Sequence, residues 1–331
     1  MRVPRVGAIA GALGFLLIAG GVSYRLFFTD SAPPELPPLS ATIEHDSMRV
    51  GDVERTYLVY VPATLAASPA LLLVLHGARE TARRMRVLTA YEFETLADRN
   101  NFIVVYPDGV GRYWNACRKR AGQASPTDDT GFMRALIKRF RTSYGISASH
   151  VFVMGFSNGG QMAYRLALEA PEEIGGIAAV AANLPTPGDS SCTETERPVA
   201  VMIVNGTADP SNPYAGGRLG GLGFGNRGQV RSSIETATYF SRLAGYNGLP
   251  NIVRYPERDG GADTWVERAT WDAAQLPEVS LYTVHGGGHT IPQGKYKLRR
   301  ILGPTAADID CMEEVWQFFV RQMRKGTGTG L

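Results

Sequence analysis

Runs of Val, Ile, Leu and Ala at residues 70–76, 102–106, 151–156, 177–181, 200–205 and 279–284 constrain this chain more than any other feature. They are short and almost free of polar residues, which suits strands covered on both faces, as in a parallel sheet. Residues 55–61 alternate instead, the pattern of a half-buried strand. Between the runs lie stretches with apolar residues at three- and four-residue spacings: 80–97, 130–144, 158–170, 232–244 and 309–323. Strands alternating with helices predict a doubly wound α/β sheet flanked by helices. No internal repeat interrupts the pattern and no second Pro-rich segment divides it after residue 40, so one domain is expected over residues 46–326. The Gly-rich stretch 213–228 is the expected surface loop, a candidate rim or lid over a site.

Ahead of that domain the sequence changes character. Arg2 and Arg5 precede an uncharged stretch, residues 6–24, rich in Ala, Gly, Leu and Ile. At about 1.5 Å per residue such a stretch nearly spans a hydrocarbon core of roughly 30 Å. Residues 1–27 are therefore expected to be a membrane anchor whose basic N-terminus stays in the cytoplasm. The alternative is a cleavable signal peptide, with Ala19-Gly20-Gly21 supplying small residues at a cleavage site. Either places the rest of the chain outside the cytoplasm, periplasmic or secreted. Residues 28–45, with Pro33, Pro34, Pro37 and Pro38, read as a stiff, extended linker.

Composition narrows the partners. Lys plus Arg number 34 against 31 Asp plus Glu, a near-balance that gives no electrostatic case for nucleic acid. The run Arg118-Lys119-Arg120 reads as a solvated loop. The three cysteines, Cys117, Cys192 and Cys311, form no CxxC pair, so no metal site is expected from them. They allow one disulfide and one free thiol, in any of three pairings.

The chemistry centres on Gly155-Phe156-Ser157-Asn158-Gly159. It joins a strong strand to a helix carrying Met162, Tyr164, Leu166 and Leu168. A sharp strand-to-helix turn needs very small neighbours, which Gly155, Gly159 and Gly160 supply, and it presents Ser157 as a nucleophile at a helix N-terminus. The pattern matches the nucleophile turn of the α/β-hydrolase fold, in which an acid and then a histidine are expected to follow the serine along the chain. Only His285 and His289 lie downstream. His285 continues a strand, whereas Gly286-Gly287-Gly288 makes a flexible loop that brings His289 over the sheet edge, so His289 is the expected base. Among many downstream carboxylates, Asp209 stands directly after a buried run, where a side chain reaches a shared crevice; an ordinary turn-forming Asp before Pro210 is the alternative. The oxyanion is expected to rest on the backbone N–H groups of Asn158 and Ala78, with His76 shaping the second loop. His45 and His150 read as structural. Asn205-Gly206-Thr207 matches a glycosylation sequon but sits beside the catalytic loop. Asp128-Asp129 reads as a cap for the following helix rather than a metal pair. Trp114 and Tyr214, on loops at the predicted carboxyl edge, are candidates for lining the substrate cleft.

Several motifs recur in one order: His76-Gly77, Tyr106-Pro107-Asp108-Gly109, Trp114-Asn115, Asp128 to Phe132, Gly155 to Gly160, Gly206 to Pro210, and Gly286 to Thr290. Over roughly residues 50 to 320 the chain resembles the polyhydroxybutyrate depolymerase and feruloyl esterase family. The resemblance implies Ser157 as nucleophile, Asp209 as acid and His289 as base. It departs at Ile291, where relatives often carry Trp, and at Leu249, where they carry Cys. The activity expected is carboxylic ester hydrolysis through an acyl-enzyme, with no cofactor and no metal. Hydroxycinnamoyl, acetyl or short-chain hydroxyalkanoate esters are the expected substrates. The same triad would also suit a peptidase or amidase, and an inactive relative would be a polymer-binding envelope protein.

Overall fold

The computed structural model describes residues 27–119, 127–220, 227–258 and 264–327. The expected anchor or signal segment, apart from Phe27, lies outside them, as do Arg120 and residues 221–226 of the Gly-rich loop. Twelve strands occur among the described residues: β1 (Glu44–Val50), β2 (Val53–Tyr60), β3 (Leu71–Leu75), β4 (Ile103–Pro107), β5 (Val151–Phe156), β6 (Gly176–Val180), β7 (Ala200–Gly206), β8 (Gly217–Arg218), β9 (Gln229–Val230), β10 (Asn251–Arg254), β11 (Trp265–Ala273) and β12 (Leu276–His285). The helices are α1 (Ala82–Leu88), α2 (Glu92–Asn100), α3 (Asp129–Tyr144), α4 (Asn158–Glu169), α5 (Ser233–Leu243) and α6 (Cys311–Thr327).

Ten strands form one sheet in the order β1-β2-β4-β3-β5-β6-β7-β12-β11-β10. The stretch from β4 to β12 is parallel, and the two margins are antiparallel. The two-residue period of a strand sends alternate side chains to opposite faces. Leu71, Leu73 and Leu75 therefore join one core with α3, α4 and α5, while Leu72 and Val74 join a second core with α1, α2 and α6. That double covering explains why the parallel strands read as unbroken apolar runs.

The structure corrects two boundaries. The helical pattern over 80–97 is two helices, because Ala90 and Tyr91 take positive φ of 50° and 59° between them. The Thr89 hydroxyl donates to the Met85 carbonyl at 3.1 Å as α1 ends. The break turns the chain so that Met85 and Leu88, then Phe93 and Leu96, all reach the second core.

The Pro-rich segment is not a free spacer. Asp30 pairs with Arg84 and Arg299, and the Ser31 N–H donates to the Lys297 carbonyl at 2.8 Å. Leu39, Ala41 and Ile43 pack against the second core, and Glu44 and His45 already belong to β1. With four prolines the segment loses little entropy on docking as an extended strap.

Candidate active site

β5 ends one residue before Ser157, which sits at φ 54° and ψ −115° and opens α4. A non-glycine residue held there stores backbone strain, so the surroundings must enforce it. They do so by close approach. A Cβ on Gly155 would stand 2.1 Å from the Gly159 carbonyl oxygen, and one on Gly159 would stand 2.4 Å from that of Leu75. The Ser157 N–H donates to the Val180 carbonyl at 2.8 Å, tying the turn to β6.

Three loops beyond the carboxyl ends of neighbouring strands converge on Ser157. His289 Nε2 lies 2.9 Å from Ser157 Oγ, and His289 Nδ1 lies 2.7 Å from Asp209 Oδ2. The other carboxylate oxygen, Asp209 Oδ1, accepts from the backbone N–H groups of Ser211 at 2.7 Å and Asn212 at 2.8 Å. Those two donors fix the carboxylate plane. The carboxylate in turn holds the proton on Nδ1 and leaves Nε2 able to accept one. The imidazole rests against the Phe156 ring, with centroids 5.2 Å apart.

The loop that delivers His289 is packed rather than flexible. Gly288 lies so close to the next segment that a Cβ there would meet the Leu302 carbonyl at 2.1 Å. The His289 N–H donates to that same carbonyl at 2.6 Å. His285 faces away from this cluster, stacked on Trp265 with its Nε2 3.5 Å from Glu267.

His76 organises the second loop. Its Nε2 accepts from the Gly109 N–H at 2.9 Å, which leaves Nδ1 to donate to the Gly77 carbonyl at 2.7 Å. Burial pushes its pKa down, which suits a neutral ring in that tautomer. Asn158 and Trp114 clamp this loop to the nucleophile turn. The Trp114 N–H donates to Asn158 Oδ1 at 2.8 Å, Asn158 Nδ2 donates to the Trp114 carbonyl at 3.2 Å, and Trp114 Nε1 donates to the His76 carbonyl at 2.9 Å.

These contacts correct the expectation for Trp114. It is fully buried beneath the loop and is not among the residues lining the cleft. Tyr214 is not among them either. Its hydroxyl bonds Thr283 Oγ1 at 2.7 Å and its carbonyl accepts from the Ser233 N–H, so it braces α5 against β12. Both aromatics lie on loops at the expected end of the sheet, but behind the cleft wall rather than on it.

Other expectations are met in detail. Asp128 caps α3 by accepting from the Gly131 N–H at 2.7 Å, and Asp129 is buried against Arg55 at 2.6 Å. Asn205 is buried, with its amide bonded to Asn183, Ser233 and the Ala182 backbone, so its sequon is structural. Cys117 and Cys192 form a disulfide, and Cys311 is a buried free thiol.

The cleft over Ser157 has a volume of about 620 Å³ and includes Ala78, Asn158 and His289 in its walls. It also includes residues that sequence reasoning missed: Phe28 of the strap and the arginines Arg79, Arg112, Arg118 and Arg227. The only prior signal was the basic run at 118–120, read as a solvated loop. Arg118 instead turns inward, with its Nε buried.

The solved acetyl xylan esterase from Aspergillus awamori superposes with a TM-score of 0.55, covering 85% of this chain and 99% of that one at 14% identity. The chain has the α/β-hydrolase fold. A phospholipase/carboxylesterase family profile matches residues 119–219, a span that contains Ser157 and Asp209. NocK of Nocardia uniformis subsp. tsuyamanensis, named as an esterase, is 29% identical over 295 residues, covering 86% of this chain and 84% of NocK. The poly(3-hydroxybutyrate) depolymerase of Ralstonia pickettii is 31% identical over 189 residues, 53% of this chain and 38% of the depolymerase. Feruloyl and acetylxylan esterases are also similar, in agreement with the resemblance carried by the motifs.

Proposed function

We propose that this α/β-hydrolase is an exported serine esterase that cleaves carboxylic esters through an acyl-enzyme on Ser157. The unbroken relay from Asp209 through His289 to Ser157, with both contacts under 3 Å, is the observation that carries this reading. Serine is a weak nucleophile until a base takes its proton, and the base works only in the tautomer its acid partner selects.

Ser157 Oγ attacks the ester carbonyl carbon and its proton passes to His289 Nε2. The carbonyl oxygen becomes an oxyanion that accepts hydrogen bonds from the Asn158 and Ala78 amides, both in the cleft wall beside Ser157. As the C–O bond to the alcohol breaks, His289 returns the proton to the leaving oxygen. Water then enters, gives a proton to His289 and attacks the acyl carbon. The carboxylic acid departs and Ser157 Oγ recovers its proton. Every atom in this cycle comes from the ester, water and the chain itself.

Acetyl, hydroxycinnamoyl and short-chain hydroxyalkanoate esters are the substrates this reading favours, supported by the esterases and the depolymerase the chain resembles. Export rests on the basic and apolar character of residues 1–27. Comparing kcat/KM across acetyl, butyryl, feruloyl and 3-hydroxybutyryl esters tests the activity. Turnover of at least one, with a pre-steady-state burst of alcohol equal to the enzyme concentration, is expected. No turnover of any ester by the folded protein would overturn the proposal.

A further inference from the structure

The cleft over Ser157 is unusually basic for one that would bind an uncharged ester. Arg79, Arg112, Arg118, Arg227 and Arg299 line it, against a single carboxylate, Glu80. Glu80 is engaged with Arg84 at 3.7 Å, and Arg299 with Asp30 at 3.3 Å. Arg118 is the anomaly. Its Nε is buried without a hydrogen-bond partner, and among the described residues its guanidinium forms no hydrogen bond or ion pair. Buried side-chain N–H groups are almost always paired, because their lost hydrogen bonds to water have to be offset. Burial, with Arg227 adding like charge, pushes the Arg118 pKa down to about 10, so it stays cationic at neutral pH.

Nor is Arg118 a loose side chain that happens to point inward. Its neighbour Cys117 is bonded to Cys192, and Arg118 forms a strand-like bridge with Ser190. The Ser191 N–H donates to the Cys117 carbonyl at 2.8 Å, and the Lys119 N–H to the Asp189 carbonyl at 2.9 Å. The backbone is thus fixed on both sides of a half-buried cation whose Nε is buried and unpartnered. A planar guanidinium held in this way matches a carboxylate in geometry and charge.

We infer that Arg118, with Arg79, Arg112 and Arg227 lining the same cleft, forms an anion subsite, and that the ester cleaved at Ser157 carries a carboxylate. This rests on the esterase reading and narrows it to one substrate class. The carboxylate sits on either the acyl or the alcohol side of the ester, and the test separates the two.

Two matched pairs decide it: p-nitrophenyl hydrogen adipate against p-nitrophenyl hexanoate for the acyl side, and 4-acetoxybenzoate against its methyl ester for the alcohol side. In wild-type protein kcat/KM should favour the carboxylate member of one pair at least tenfold. That ratio should fall at least tenfold in Arg118→Gln and recover partly in Arg118→Lys. A wild-type ratio below ten in both pairs overturns the inference while leaving the esterase reading intact. So does a ratio that Arg118→Gln leaves unchanged. If Arg118→Gln does not fold, the wild-type ratios at 50 mM and 500 mM NaCl decide instead. The advantage should shrink severalfold at high salt, and an unchanged advantage overturns the inference. If no ester is cleaved, the esterase reading fails by itself, and calorimetric titration of wild-type protein with adipate reads the subsite directly: binding that weakens with salt supports it, and no binding removes it.

Discussion

Replacing Gly159 by Ala probes the geometry on which the proposed chemistry depends. A Cβ at Gly159 would lie 2.4 Å from the Leu75 carbonyl oxygen and 2.6 Å from that of His76, whereas ordinary contact begins near 3.4 Å. Both neighbours are backbone at the end of β3, so no side chain can swing aside. The nucleophile turn and the His76–Ala78 loop must separate by about 1 Å, a displacement that in a pre-organised site costs on the order of 10²-fold in rate. Overpacking of this kind costs about 2 kcal/mol of stability, which lowers the melting temperature by about 3–4 °C for a domain of this size. The assay is kcat/KM on p-nitrophenyl acetate beside a calorimetric melt. Because the fault lies in the oxyanion loop rather than in substrate contacts, the loss should fall mainly on kcat. A variant with wild-type kcat and melting temperature would refute the claim that close approach of these two backbones builds the site.

Asp129→Ala would leave Arg55, 3% exposed, without its carboxylate. The expected loss is about 3–5 kcal/mol in urea unfolding, and activity should drop as well, because Asp129 also anchors the Asn115 N–H beside Trp114. Cys192→Ser opens a crosslink spanning 75 residues, for which chain entropy predicts a loss of about 4 kcal/mol, read by the same unfolding curves. Asp98→Asn tests the strap. Partial burial pushes the Asp98 carboxyl up, but hydrogen bonds from Ser40 and Tyr60 outweigh it and hold it below its ordinary value. A carboxyl so lowered adds stability above its unfolded pKa of about 4, and that stability is lost as pH falls through the folded value. The variant should therefore melt below wild type at pH 7, with the gap closing towards pH 3.

The parallel centre of the sheet was legible because strands buried on both faces leave a continuous apolar signature, as at 71–75 and 151–156. The outermost strands left none. All four residues of β10 are exposed, and β1 mixes Glu44, Asp46 and Arg49 with half-buried residues, so neither shows a clean period. The helix break at Ala90 and Tyr91 was hidden for a different reason. Neither residue is a helix breaker, and the turn is set by packing on both sides.

Within the site, Ser157, Asp209 and His289 could be read from chain order and strand ends, and the structure brings them together. Trp114 and Arg118 were misread in opposite senses. An aromatic on a loop was expected at the surface, and it is buried by bonds to Asn158 and His76. A basic run was expected in solvent, and the disulfide at Cys117 turns its first residue inward. Both outcomes depend on contacts between segments far apart in sequence, which a local pattern does not carry.

The most direct test of the central claim is reaction of the intact protein with a fluorophosphonate, followed by peptide mapping. One adduct is expected, on Ser157, formed rapidly in wild type, much more slowly in His289→Ala and not at all in Ser157→Ala. A wild-type protein that is folded yet unlabelled, or labelled at another serine, would contradict it.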